Sequence, residues 1–274
     1  MITRILTALG LLGLVIPLVV LAEPRWFFFF VILVFATLLW EWLRLLRVSG
    51  GALIALPVAF VTSLALLISD PWLDFRSVAV ILVLVCSAGW CVVLFAALTG
   101  RWSAGPFAGA IWAFMATVGA FSAVWLAYQQ SLLALLLAFL LVWVADSGAY
   151  FAGKWFGHSR LAPSISPGKT WEGVLGAVLL GLFVMLGLAA WVPHGWNWAV
   201  AYRWGYPALA LTVLVFTLLS VAGDLYQSLL KRRSGVKDSG HLLPGHGGIY
   251  DRLDAAVVVL PFTVLAQLWA ESRV

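Results

Sequence analysis

The residues best suited to chemistry lie in two segments near the carboxyl end of the chain. In SVAGDLYQSLLKRR, Asp224 precedes Ser228 by four residues, so both side chains lie on one face of a helix. Further along, Asp251 and Asp254 are three residues apart and share a helix face in the same way. Mg²⁺ binds one or two carboxylates together with phosphates and waters. We therefore predict that Asp224, Asp251 and Asp254 converge on one Mg²⁺ site.

Each of these acids also has a purely structural interpretation. Asp224 with Ser228 is compatible with a hydrogen bond between two helices. Asp251 as an N-cap, with Asp254 one turn later, is typical of the start of a helix. Either of these last two acids alone would favour the structural interpretation. The predicted convergence of all three acids is what favours a metal site.

A glycine-rich turn, PGHGG at residues 244–248, lies between the two segments. Turns of this kind present backbone N–H groups that can bind phosphate oxygens. Lys231, Arg232 and Lys237 precede the turn and could neutralise phosphates, although basic residues after a helix end also fix membrane topology. His246 is a candidate ligand for phosphate or metal, but scattered histidines without an HExxH motif or cysteine partners argue against a zinc enzyme.

A second polar segment, PSISPGKTWEG at residues 163–173, contains a Gly-Lys-Thr triplet that suggests a P-loop. A P-loop needs a glycine five residues before Gly168, and this chain has Pro163 at that position. We also expect no strand before the triplet. An ATPase-type P-loop is therefore rejected.

The same segment still offers a cation and two hydroxyl groups at the predicted start of a helix, from Ser166, Lys169 and Thr170. Free backbone N–H groups at a helix start favour a bound phosphate. The alternative is that Thr170, with Glu172 or Gly173, simply marks an ordinary helix start.

Asp146 and Ser147 lie near the predicted cytoplasmic end of an apolar span, in VWVADSGAYF. A carboxylate at the bilayer centre costs roughly 2.5 to 3.5 kcal/mol on insertion scales, and less near the interface. Acids inside spans therefore favour a functional role. The alternative is an acid at a helix end that reaches water.

The rest of the chain is suited to hold these segments in a membrane. Of its 274 residues, 64% are hydrophobic and 10% are charged, with a mean hydropathy of +1.07. Ordinary soluble domains are roughly 45 to 50% apolar and about 25% charged. Apolar runs long enough for a helix to cross a bilayer lie near residues 5–22, 26–43, 52–69, 77–98, 105–128, 131–152, 171–192, 206–229 and 252–270.

The predicted fold class is therefore all-α, a polytopic membrane bundle of about nine transmembrane helices. We predict an N-terminal scaffold over residues 1–130 and a catalytic transmembrane region over residues 131–274. The first run also has features of a signal peptide, but its long apolar core and the span that follows at once favour a retained helix.

The distribution of basic residues predicts the orientation of this bundle. Nine spans place twelve of the 16 Lys and Arg residues on one side and four on the other, namely Arg25, Arg76, Arg203 and Arg273. By the positive-inside rule the richer side is cytoplasmic, so the N-terminus and both polar loops face the cytoplasm. The net charge of +5 would suit nucleic acid, but the basic residues lie in short loops beside spans. We therefore expect no nucleic-acid partner.

The order of the polar residues from Trp143 to Asp254 resembles the phosphatidate cytidylyltransferase, or CDP-diacylglycerol synthase, family. The segments ADSGAYFAGKWFG, SPGKTWEG and SVAGDLYQS resemble family blocks, whereas the first five spans match only in being apolar. The longest matching signature consists of Ser228, Lys231, Arg232, Lys237, Asp238, Gly240, Pro244, His246, Gly247, Gly248, Asp251, Arg252 and Asp254.

The resemblance implies an Mg²⁺-dependent nucleotidyltransferase that converts CTP and phosphatidic acid of the bilayer into CDP-diacylglycerol and pyrophosphate, with one or two cations. It implies a homodimeric helical protein of the bacterial cytoplasmic (inner) membrane. The implied catalytic residues are Asp224, Asp251, Lys231 and Arg232, and Asp224, Asp251 and Asp254 are the implied metal ligands. The implied substrate-binding residues are Asp146, Ser147, Ser166, Lys169, Thr170, Ser228, Lys237, His246, Gly247, Gly248 and Arg252.

Two other functional classes stay open at this point. A CTP-dependent kinase that acts on a lipid alcohol would need the same phosphate-binding groups. A membrane transporter would also explain acids within spans, but it would distribute polar residues along several spans. Here the polar residues gather at the predicted cytoplasmic ends, which argues against a path through the membrane.

Overall fold

The chain folds into a bundle of helices with one small β-hairpin. The computed structural model describes residues 2–21, 23–69, 74–101, 105–193 and 195–272. Within these ranges the helices are α1 Ile2–Val20, α2 Pro24–Leu45, α3 Ala52–Ser69, α4 Phe75–Leu98, α5 Pro106–Gln130, α6 Leu132–Phe156, α7 Trp171–Trp191, α8 Trp196–Trp204, α9 Tyr206–Ser234 and α10 Tyr250–Glu271. The strands are β1 Arg160–Ala162 and β2 Ser166–Thr170.

The all-α polytopic fold class is confirmed. Each of the nine predicted spans coincides with a helix, and the short α8 is an additional helix that the apolar runs did not indicate. Seven helices in the described ranges, α2, α4, α5, α6, α7, α9 and α10, are long and apolar enough to cross a membrane. Ala52–Leu64 of α3 is a shorter apolar helix that is not among these seven. The number nine stays a prediction.

An aromatic core connects the first helices to the last two. Trp42 of α2 stacks on Tyr250 of α10, with ring centroids 4.7 Å apart, and on Trp90 of α4 at 5.9 Å. Trp90 in turn meets Tyr226 of α9 edge-on at 5.5 Å. All four rings are buried, and each such pair contributes about 0.5 to 1.5 kcal/mol beyond its buried area. The predicted boundary at residue 130 is untested, but the core crosses it.

Small residues allow α6 and α7 to pack in close contact. A Cβ atom on Gly148 would lie 2.6 Å from the carbonyl oxygen of Gly176, and one on Gly176 would lie 2.2 Å from Cβ of Ala152. Close approach through small residues is the usual way for helices to associate inside a membrane. The contact brings Asp146 of α6 next to the start of α7.

The segment before α7 is a β-hairpin, so the expectation that no strand precedes it was wrong. β1 and β2 are antiparallel, with Arg160 opposite Thr170. Arg160 Nη1 donates to the carbonyl oxygen of Pro167 at 2.7 Å, and Arg232 Nε of α9 donates to that of Ile165 at 3.2 Å. The second contact joins residues 67 apart in sequence, and no local pattern reveals it. Because the strands are antiparallel and Pro163 replaces the glycine, the P-loop stays rejected.

Candidate active site

One face of α9 carries most of the polar side chains of the site. Asp224, Gln227, Ser228 and Lys231 are spaced at i, i+3, i+4 and i+7, the spacing of a single helix face. Ser228 Oγ donates to Asp224 Oδ1 at 3.3 Å. The four side chains therefore form a polar stripe about two turns long in the second half of α9, whose first half is largely apolar.

Lys169 forms an ion pair with Asp224. Its Nζ lies 2.6 Å from Asp224 Oδ2 and also donates to the carbonyl oxygen of Val221 at 3.3 Å. Lys169 comes from the end of β2, so the hairpin carries the cation across to α9. The pair borders a cavity of about 240 Å³, whose lining residues are Ala145, Asp146, Ala149, Tyr150, Gly168, Lys169, Thr170, Gly173, Val174, Val221 and Asp224.

Two further acids lie close enough to Asp224 to interact with it electrostatically. Asp254 of α10 interacts with Asp224, Asp146 and Lys169, and Asp146 interacts with Asp224 and Lys169. Asp254 can approach α9 because Gly223 has no side chain; a Cβ there would lie 3.2 Å from the carbonyl oxygen of Asp254. We name Asp146, Asp224, Asp254 and Lys169 the pocket cluster. It has three carboxylates and one ammonium group.

Asp251 lies in a different environment, in which both carboxylate oxygens are fully bonded. Oδ1 accepts hydrogen bonds from Lys231 Nζ at 2.9 Å and Gln227 Nε2 at 3.1 Å. Oδ2 accepts from the backbone N–H groups of Ser239 at 2.8 Å and Gly248 at 3.0 Å. A carboxylate has about four lone-pair positions, and all four are used. We name Asp251 and these four donor residues the loop cluster.

The glycine turn packs directly against Asp251. Leu243 and Gly247 form an isolated antiparallel bridge, and Gly245 and Gly247 have φ angles of 76° and 81°, which favour glycine. A Cβ on Gly247 would lie 2.7 Å from Asp251 Oδ2. The N–H group of Gly248, which the sequence suggested for phosphate, is instead used by Asp251.

The remaining predicted residues are spread around these two clusters. Thr170 caps α7, with its Oγ1 accepting from Gly173 N at 3.1 Å, so the ordinary helix start is confirmed beside the cavity. Arg252 donates twice to the carbonyl oxygen of His246 and so holds the turn. The ring Nδ1 of His246 has no hydrogen-bond partner among the described residues.

Of the predicted substrate-binding residues, only Asp146, Lys169 and Thr170 line the cavity. Eight do not: Ser147, Ser166, Ser228, Lys237, His246, Gly247, Gly248 and Arg252. Ser147 Oγ donates to the carbonyl oxygen of Trp143 within its own helix. Ser166 lies at the start of β2, opposite Ala162, and Lys237 is exposed in the loop after α9. Their roles in substrate binding stay predictions.

The sequence interpretation missed two residues, Gln227 and Glu41. Gln227 is buried and bonds Asp251, and extending the spacing from Asp224 and Ser228 would have revealed it. Glu41 is a buried acid near the end of α2, and an acid inside an apolar span is itself a signal of function. It accepts the N–H groups of Ile249 and Tyr250 at the start of α10.

These contacts correct the predicted start of the last helix. α10 begins at Tyr250, and its N-cap, Ile249, makes no side-chain capping bond. Asp251 is therefore a residue of the first turn and not the N-cap. Its side chain turns back to accept from Gly248, while Glu41 of α2 supplies the capping oxygens. A cap from a distant helix leaves no local sequence signal.

The carboxylates of the pocket cluster fit an Mg²⁺ ion that is bound partly by protein and partly by phosphates. They do not fit a metal ion whose ligands all come from the protein. Among the described residues no group of three or more His, Cys, Asp and Glu could enclose a metal ion. The pocket cluster nevertheless has three carboxylates and one ammonium group, and carboxylates that lie close together repel one another unless a cation balances their charge. Mg²⁺ is usually bound by one or two carboxylates plus substrate phosphates and waters, which is compatible with this geometry.

Comparison with known proteins identifies the family. A model of the cytidylyltransferase family matches residues 2–269. The phosphatidate cytidylyltransferase of Pseudomonas aeruginosa is 34% identical over 277 residues, which cover 97% of this chain and 96% of the relative. Those of Haemophilus influenzae and Staphylococcus aureus are 46% and 45% identical, but the matches cover 45% and 46% of those relatives and 48% and 46% of this chain. The chain thus belongs to the phosphatidate cytidylyltransferase family.

Proposed function

We propose that this protein transfers the cytidylyl group of CTP to phosphatidate, giving CDP-diacylglycerol and pyrophosphate. Beyond family membership, one structural observation carries the proposal. Two Lys–Asp pairs, Lys169–Asp224 and Lys231–Asp251, lie along the polar stripe of α9. Each joins a cation suited to phosphate with a carboxylate suited to Mg²⁺. The two lysines suit the phosphates of CTP, and the two aspartates suit the Mg²⁺ that accompanies a triphosphate.

The chemistry requires positioning and charge neutralisation. A phosphate oxygen of phosphatidate attacks the α-phosphorus of CTP in line, and the bond from that phosphorus to the oxygen bridging to the β-phosphorus breaks. Pyrophosphate leaves with the bonding electron pair. The attacking oxygen is already anionic near neutral pH, so no general base is needed. Lys169 and Lys231 hold the phosphate oxygens, and charge-assisted bonds of this kind are stronger than neutral ones.

Asp224 and Asp251 are the residues proposed to hold Mg²⁺, with Asp254 beside Asp224. Bound Mg²⁺ would neutralise the triphosphate and stabilise charge on the leaving group. Because Lys231 and Gln227 fill both lone pairs of Asp251 Oδ1, one of them must move when Asp251 binds a cation. Lys231 is the one with an alternative partner, since it can transfer to a phosphate. The number of cations, one or two, is left open.

An apolar cavity supports a lipid as the second substrate. It has a volume of about 280 Å³ and is lined entirely by apolar residues of α1, α2, α5, α6 and α10. Of these residues, Trp143 lies three residues before Asp146 on α6, and Leu253 directly precedes Asp254 on α10. We assign this cavity to an acyl chain of phosphatidate, whose phosphate then lies at the level of the acids.

The proposed location is the bacterial cytoplasmic membrane, with the N-terminus and the segments after α6 and α9 in the cytoplasm. The uneven distribution of Lys and Arg supports this orientation, and the relatives compared above are bacterial. CTP then approaches from water while phosphatidate approaches within the bilayer. A homodimer is proposed from the resemblance alone.

Labelled CTP tests the reaction against its alternatives. Purified protein with Mg²⁺ and either phosphatidate or a lipid alcohol as the acceptor is given CTP carrying ³²P at either the α or the γ position. Cytidylyl transfer puts the α label into lipid and the γ label into pyrophosphate. Transfer of the γ label to a lipid alcohol would instead establish the kinase. No labelled lipid with either substrate would overturn both enzymatic assignments and favour the transporter.

A further inference from the structure

Glu41 is a fully buried acid of the N-terminal helices that reaches the loop cluster. It lies near the end of α2, between Trp40 and Trp42, with no exposed surface. Its Oε2 accepts from Ser239 Oγ at 2.8 Å and from Tyr250 N at 2.9 Å, and its Oε1 accepts from Ile249 N at 3.2 Å. In the described part of the chain no cationic side chain lies within ion-pair distance of it.

The segments that bond Glu41 are the same segments that bond Asp251. Ser239 donates its hydroxyl to Glu41 and its backbone N–H to Asp251. Gly248 donates its N–H to Asp251, and the next two N–H groups donate to Glu41. Two carboxylates from different helices thus hold both ends of the loop between α9 and α10. Moving Glu41 would move both backbone donors of Asp251.

Two glycines in this loop, Gly240 and Gly248, pack directly against Glu41. A Cβ atom on Gly240 would lie 2.3 Å from Glu41 Oε1, and one on Gly248 would lie 2.3 Å from Oε2. These distances are too short for a non-bonded contact. The loop therefore closes around the carboxylate of Glu41 without space for any side chain at either position.

A buried carboxylate without a cation is costly unless its oxygens are well bonded. Here three donors compensate it, and two of them are N–H groups at the start of α10, where the helix dipole favours negative charge. A neutral residue would be a cheaper way to fill the same space. The use of an acid here indicates a need for fixed donor geometry beside Asp251.

We propose that Glu41 is a positioning residue for the phosphoryl-transfer site. It orients the loop at residues 239–250 so that Ser239 and Gly248 hold Asp251 ready to bind the cation. The inference rests on the proposed function only for the identity of the ligands, namely Mg²⁺ as the cation and CTP as the nucleotide. It gives the N-terminal helices, which the family model also covers, a part in the site.

Glu41→Gln is the test, because it keeps the shape but places an NH₂ group against N–H and O–H donors. The purified variant should show a kcat about ten- to a hundredfold lower. The Mg²⁺ concentration for half-maximal activity should rise several-fold, while KM for phosphatidate stays within about twofold. The rise in Tm caused by Mg²⁺ with CTP should shrink at the same concentrations, and this measurement does not depend on turnover.

Thr117→Val serves as the matched control. Thr117 is also fully buried, in α5, and its hydroxyl bonds only the carbonyl oxygen of Ala113. Loss of the Thr117 hydroxyl should lower the stability of the protein without changing the loop. The Mg²⁺ concentration for half-maximal activity should therefore be that of the wild type. If Glu41→Gln lowers Tm but keeps the wild-type Mg²⁺ dependence, as the control does, Glu41 is merely structural and the inference is overturned.

Gly240→Ala tests the same contact from the loop, and it decides the question where Glu41→Gln does not fold. The added methyl group presses on Glu41 and leaves the donors of Asp251 chemically intact. The variant should raise the Mg²⁺ requirement, and unchanged Mg²⁺ dependence would overturn the inference. If the wild-type protein shows the rise in Tm with Mg²⁺ and CTP but no cytidylyl transfer, only the proposed function is refuted. The Tm shifts of the wild type and the variants can still be compared, so the role of Glu41 is tested independently.

Discussion

The pocket cluster and the loop cluster bind their aspartates in opposite ways. Asp224 has one lysine and one serine as its side-chain partners, and 33% of its side chain is exposed beside the cavity. Asp251 has four donors and is 7% exposed. The first is poised to accept a new ligand, whereas the second is already held in place. The backbone donors of Asp251 can stay in place during a reaction, whereas one of its two side-chain donors must move before Asp251 binds a cation.

The largest effect is expected from Asp224→Asn. Loss of the carboxylate charge should lower kcat by about a hundred- to a thousandfold. Stability should change little, because a partly exposed ion pair contributes about 0 to 1 kcal/mol and a neutral amide is cheaper to bury. Mg²⁺-dependent turnover and Tm are measured on the same sample. Full turnover in this variant would remove Asp224 from the metal site.

Asp251→Asn should lose comparable activity and also lose stability, which separates the two clusters. The amide would present an NH₂ group to two donors, and hydrogen bonds to a charged group contribute about 1.5 to 3 kcal/mol. The expected fall in Tm is several degrees. Equal Tm values for Asp224→Asn and Asp251→Asn would show that the four bonds of Asp251 do not stabilise the fold.

Substituting the lysines tests the same difference between the pocket cluster and the loop cluster, with a smaller expected loss of activity. Lys169→Ala and Lys231→Ala should each lower kcat/KM for CTP by about ten- to a hundredfold, the value of one charge-assisted bond. Only Lys231→Ala should lower Tm as well, because it leaves the nearly buried Asp251 without its cation. Unchanged kinetics in both variants would reduce them to topology anchors.

Arg232→Ala should have a smaller effect, about two- to tenfold on kcat/KM. In the structure Arg232 holds the carbonyl oxygen of Ile165 and so fixes the hairpin that carries Lys169. Its influence on the pocket cluster is therefore indirect. A loss as large as that of Lys169→Ala would support the role that the sequence suggested, direct contact with phosphate.

The last prediction concerns orientation and expects no change in activity. Both clusters should face the cytoplasm, so cysteines introduced at Ser159, in the segment before β1, and Ser234, at the end of α9, should resist an impermeant thiol reagent in intact cells. Cys86 and Cys91 are replaced by alanine beforehand. Labelling after permeabilisation is the positive control. Labelling of only one site before permeabilisation would place the clusters on opposite sides and refute the shared active site.

The sequence predicted the helices well because membrane helices depend on apolar length. All nine apolar runs coincide with helices, and the short α8 was missed because nine residues cannot span a bilayer. The polar residues of α9 and α10 were found because they interrupt apolar runs. The hairpin and the cap of α10 were not, since both depend on contacts between residues far apart in sequence, through Arg232 and Glu41.

The sequence also could not predict that the acids divide between two clusters. Spacing predicted that Asp251 and Asp254 share a helix face and act together, yet Asp251 bonds the loop while Asp254 interacts with Asp224 and Asp146. Three residues along a helix place side chains about 4.5 Å apart in height, which is enough for different neighbours. The neighbours of each acid depend on tertiary contacts: helix packing at Gly223 brings Asp254 to α9, and the glycine turn packs against Asp251 at Gly247.

The stack of Trp42 on Tyr250 limits which chimeras of two family members can be active. Trp42 follows Glu41, and Tyr250 precedes Asp251, so the ring contact at 4.7 Å fixes the register of an early helix against a late one. A chimera that takes α2 from one relative and α10 from another inherits each half of this contact from a different parent. Such proteins should insert normally but lose turnover unless both halves of the contact match.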